Sequence, residues 1–90
     1  MADIIYNQAK LEEVTNELQG QIKKLNEELE TFNQNYEVVK ANWSGSEFEK
    51  ADVKLKEIKS TLETAIADNK QQLVYLKQKN ADFAEANSGL

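Results

Sequence analysis

Apolar residues recur at alternating steps of three and four along two long stretches of this chain, with a single break between them. The first stretch runs Leu11, Val14, Leu18, Ile22, Leu25, Leu29, Phe32, Tyr36, Val39 and Trp43. The second runs Phe48, Ala51, Leu55, Ile58, Leu62, Ala65, Asn69, Leu73, Leu76, Asn80 and Phe83. A mean spacing of about 3.5 residues is the heptad period, which lines one narrow stripe of a helix. Glu12, Glu13, Glu17, Lys23, Lys24, Glu27, Glu28 and Glu30 fill the intervals and make a solvated opposite face. The chain has no proline, so nothing kinks either stretch. Gly20 falls off the stripe and costs about 1 kcal/mol against alanine, too little to break so long a helix.

The break is Ala41-Asn42-Trp43-Ser44-Gly45-Ser46. Gly45 accepts a positive φ without steric cost, as helix ends and turns require. Two capping boxes are available, Ser46 with Glu49 and Ser44 with Glu47, and the sequence does not separate them. The expected fold is therefore all-α: an antiparallel two-helix hairpin over residues 1–86, helix one about 7–41, the turn 42–46 and helix two about 46–84. Residues 87–90, Asn-Ser-Gly-Leu, read as a flexible tail. The hairpin seam is expected at Leu18, Leu25, Leu29, Phe32, Tyr36, Phe48, Leu55, Ile58, Leu62, Leu73 and Leu76. Asn69 and Asn80 weaken the second stripe. They either fix register at some cost in stability or mark a helix end that frays in water.

Ninety residues make one small domain with a limited core. Val38, Val53, Ile66 and Val74, with the edges of Phe32 and Tyr36, lie beside the stripes and stay open in a lone hairpin. Covering them with a second hairpin gives a four-helix bundle, so dimerisation is expected.

Composition narrows the chemistry. Cysteine and histidine are absent, which removes disulfides, thiolate chemistry, the commonest general base and the commonest transition-metal ligand. Glu12/Glu13 and Glu27/Glu28 are carboxylate pairs on solvated faces, without the desolvation that acid–base catalysis uses. The three glycines are scattered and build no phosphate loop. No catalytic, cofactor or metal site is expected, and the chain does not read as an enzyme. The net charge of −5 opposes nucleic-acid binding. Residues 1–42 hold eight acids and four lysines, and residues 43–90 hold eight acids and seven lysines, so helix one carries most of the excess. That excess is either solvation or an acidic docking face. No apolar run suits membrane insertion, and Met1–Tyr6 lacks the basic and apolar regions of a conventional signal peptide. Residues alone point to a cytoplasmic protein.

Trp43-Ser44-Gly45 at the only break of a short helical chain resembles the turn of the WXG family, the early-secreted-antigen-like hairpins of type VII (Ess/ESX-like) secretion. The resemblance covers length, helix–turn–helix layout and the tripeptide. It implies a helical dimer, either with itself or with a homologous hairpin, that is recognised by a membrane-bound secretion ATPase. It also implies export from the bacterial cytoplasm without a cleavable signal peptide, and a virulence setting. By position, Trp43, Ser44 and Gly45 would then shape the hairpin end and form part of the secretion signal.

The family's second element is a tyrosine followed four residues later by an acid. Here Tyr75 is followed by Lys79, and Phe83 by Asn87. The element is absent in its usual form. A more varied C-terminal signal, a signal supplied by a dimer partner, or a non-exported adaptor each accommodate this. The adaptor would stay cytoplasmic and pair with the helical N-terminal domain of a larger toxin. An ordinary intracellular coiled-coil protein is the remaining alternative.

Overall fold

The computed structural model describes the backbone of residues 2–43 and 45–89, and side chains from Gln8 onward within those ranges. Two helices account for it, α1 (Ala2–Asn42) and α2 (Gly45–Ser88), and no strand occurs among the described residues. The fold is an all-α helical hairpin. Lys40 lies in the last turn of α1 and Glu47 in the first turn of α2, each opposite in sign to the helix-end dipole it faces.

Both helices outrun the sequence reading. α1 begins at Ala2 rather than near residue 7, and α2 continues to Ser88 rather than stopping near 84. Asn87 and Ser88 are helical, not tail. Asn87 has a partner across the seam, its amide donating to Gln8 Oε1 on α1. Leu90 lies outside the described residues.

The contacts divide the hairpin into two compact units, each an antiparallel pairing of α1 with α2. The turn unit spans Lys23–Ala67. Here Leu25, Leu29, Phe32 and Tyr36 of α1 and Phe48, Leu55 and Leu62 of α2 are half-buried, and the Tyr36 and Phe48 rings lie tilted with centroids 6.2 Å apart. The terminal unit joins Met1–Ile22 to Asp68–Leu90. Leu11, Leu18, Leu73, Leu76 and Phe83 are half-buried in it.

The deepest positions lie one residue away from some of those the heptads select. Thr15 is 6 % exposed whereas Val14 is 48 % exposed. Ile66, expected on the open flank, is 6 % exposed, and Ile58, expected in the seam, is 53 % exposed. Over this part of α2 the inward positions are Leu55, Lys59, Leu62 and Ile66. Lys59 is half-buried, as the aliphatic stem of a long cationic side chain allows. A lysine on the stripe hid this register from the pattern.

Candidate functional site

The joint between the helices is built from Trp43 and Gly45. α1 ends as the Trp43 N–H donates to the Val39 carbonyl at 2.9 Å and the Asn42 side-chain amide donates to the Val38 carbonyl at 2.7 Å. The first of these bonds satisfies a carbonyl that the helix end otherwise leaves open. Trp43 itself lies outside both helices and is 53 % exposed. Gly45 holds φ at +74°, the left-handed region. A β-carbon there would meet nothing within 4 Å, so the requirement for glycine is conformational and not one of space. α2 opens at Gly45, which puts Ser46 within its first turn. Ser44, and with it the other capping register and the centre of the tripeptide, lies outside the described residues.

Far along α2, Tyr75 is 61 % exposed. The Lys79 ammonium stands 5.5 Å from its ring centroid, a cation–π contact. The sequence pair Tyr75 and Lys79 is thus brought together, with positive charge beside the phenol.

Of the expected seam residues, Leu18, Leu25, Leu29, Phe32, Tyr36, Phe48, Leu55, Leu62, Leu73 and Leu76 are half-buried in their units, and Ile58 is not. Ile58 instead borders an open groove of about 530 Å³ with Leu62, Ala65 and Thr61, rimmed by Glu28 and Glu57.

A polar constellation that the stripe reading missed lies in the turn unit. Tyr36 donates to Asp52 Oδ1 at 2.6 Å, and the Lys56 ammonium reaches Asp52 Oδ2 at 3.0 Å. The Tyr36 hydrogen bond, and then that of Lys56, hold the Asp52 carboxyl below its ordinary value. The same bond, followed by desolvation and the Asp52 charge, raises the Tyr36 phenol. The signal available in the sequence was Asp52 one position from the stripe residue Ala51, with Lys56 one helical turn on.

Glu12, Glu13, Glu27 and Glu28 are exposed along α1. Among the described residues no three carboxylates converge as a metal site, and no helix is long and apolar enough to cross a membrane. Compared with protein-family models, curated proteins and solved structures, the chain has no significant match.

Proposed function

We propose that this chain is a WXG-type helical hairpin that serves a type VII secretion system as a substrate or co-secreted partner. It acts as a helical dimer recognised by the membrane-bound secretion ATPase. The observation that carries the reading is Trp43: the chain's single tryptophan stands at the joint of the hairpin, outside both helices, with about half its surface available to another protein. An indole partly exposed beside a left-handed glycine suits recognition better than core packing, because tryptophan is a preferred anchor in protein interfaces.

Sparse burial supports the dimer. Only Ile22 and Ile66 among the described apolar residues fall below one tenth exposure. In an antiparallel dimer the C-terminal part of one chain would lie beside the Trp43 joint of the other.

Export is the test. The chain should appear outside cells that carry an intact system and stay inside when the ATPase gene is deleted. Retention in cells that export other substrates of the system would refute substrate status.

The Tyr75–Lys79 contact favours a second reading. It puts a cation where an exported member would carry an acid. In this reading the chain is a cytoplasmic adaptor that pairs with the N-terminal helices of a larger toxin. Co-expression with such a toxin should give a stable complex; separate elution of the two would count against the adaptor.

A further inference from the structure

We infer that the terminal unit of the hairpin is a polar latch, built to hold its register and yet to open more readily than the turn unit. The two units differ in what crosses from α1 to α2. In the turn unit Tyr36 crosses to Asp52, and Leu25, Leu29, Phe32, Phe48, Leu55 and Leu62 are half-buried. In the terminal unit amide side chains cross at three levels. Gln21 donates to Asn69 Oδ1 at 3.4 Å, Asn80 donates to Thr15 Oγ1 at 2.8 Å, and Asn87 donates to Gln8 Oε1.

These bonds are directional, so a slipped register loses them. That fixes which residues face each other. They also leave a debt. The Oδ1 atoms of Asn80 and Asn87 are buried and have no hydrogen-bond partner among the described residues. Thr15 cannot serve Asn80 Oδ1, because its own hydroxyl proton goes to the Leu11 carbonyl at 2.6 Å. Both oxygens leave water when the unit closes and regain it when the unit opens. That cost lowers the gain on closure here, and local opening follows that balance.

Hydrogen–deuterium exchange of the full chain, resolved by peptide, tests the latch. The comparison uses amides of 11–20 and 73–84 against those of 25–40 and 48–66, leaving out the end turns that fray in any helix. The first set should exchange at least about tenfold faster. Asn80→Leu keeps the number of side-chain heavy atoms and removes the orphaned oxygen. It should slow exchange in the terminal unit by about tenfold and leave the turn unit unchanged. The double variant Thr15→Val/Asn80→Leu replaces both partners by apolar groups of similar shape and should do the same, so the result does not hang on one substitution. Equal exchange in the two units overturns the latch. So does faster terminal exchange that neither variant alters, since that is fraying unrelated to the polar seam. Slowing of both units alike also overturns it, because the residue would then act on global stability.

Discussion

Tyr36 on α1 and Asp52 on α2 share a 2.6 Å hydrogen bond, and the Tyr36 ring also packs against Phe48. One side chain thus supplies both an apolar body and a polar tip to the turn unit, a use of tyrosine that phenylalanine cannot reproduce. The Asp52 carboxyl is held below its ordinary 3.8 and the Tyr36 phenol above its ordinary 10.0. A depressed carboxylate contributes stability that is present above its unfolded pKa and is lost as pH falls through the lower folded one. A raised phenol contributes stability that is present below its unfolded pKa and is lost as pH rises through the higher folded one. The pair therefore stabilises from about pH 4 to about pH 10 and fades on both sides. Tyr36→Phe should lower the melting temperature within that window, and the difference from the parent chain should vanish at both limbs. Thermal melts followed by circular dichroism across pH give the curve. A difference that persists unchanged into the acid limb would remove Asp52 from the account.

Ile22 and Ile66 are the deepest apolar side chains described, while Ile58 is half-exposed beside its groove. Truncation to alanine should separate them. Ile22→Ala and Ile66→Ala should each cost about 2–4 kcal/mol in denaturant unfolding. Ile58→Ser should leave helix content intact. If a second hairpin covers the groove, the same substitution should shift the chain from dimer to monomer in sedimentation or light scattering. A dimer unaffected by Ile58→Ser would put the interface elsewhere.

Periodicity was enough to read the helical hairpin, its joint and most of the half-buried seam, because a heptad stripe forces the same face inward turn after turn. It misjudged which neighbour on that face lies deepest. Val14 and Ala65 continued the stripe by apolarity, yet Thr15 and Ile66 are the buried residues. A helix has 3.6 residues per turn, so a choice between adjacent positions depends on the facing helix. Lys59 and Thr15 then disguised the true line as polar. The C-terminal extension of α2 was illegible for a related reason. Asn87 has turn-like chemistry by itself, and its bond to Gln8 needed the register between helices. Tyr36 was visible as a stripe residue, but its bond to Asp52 needed the register between helices.

Gly20 and Gly45 should respond to alanine with opposite signs. Neither would bring a new β-carbon within 4 Å of any atom beyond its chain neighbours and its own helix backbone, so crowding plays no part. Gly20 is inside α1, where alanine adds about 1 kcal/mol of helix propensity. Gly45 is held at φ +74°, where a β-carbon costs about 1–2 kcal/mol. Equilibrium unfolding of the two variants should show Gly20→Ala stabilised and Gly45→Ala destabilised. Two shifts of the same sign would mean that Gly45 does not hold the left-handed conformation in solution.

Trp43 offers the sharpest separation of folding from recognition. With 53 % of its surface exposed, the indole buries too little to hold the hairpin together. Its backbone N–H, not its ring, makes the bond to Val39 that closes α1, and any residue but proline can donate that bond. Trp43→Ala should therefore keep its helical signal and lose no more than about 1–2 kcal/mol of stability. If the secretion ATPase reads the exposed face, export should drop at least about tenfold, the loss expected when an aromatic anchor leaves an interface. Circular dichroism of the purified variant and quantitation of culture supernatant against cell lysate measure the two effects separately. Loss of helix together with loss of export would make Trp43 a structural residue. A folded variant exported at the parental rate would leave the joint without a recognition role and return the chain to the class of plain helical interaction proteins.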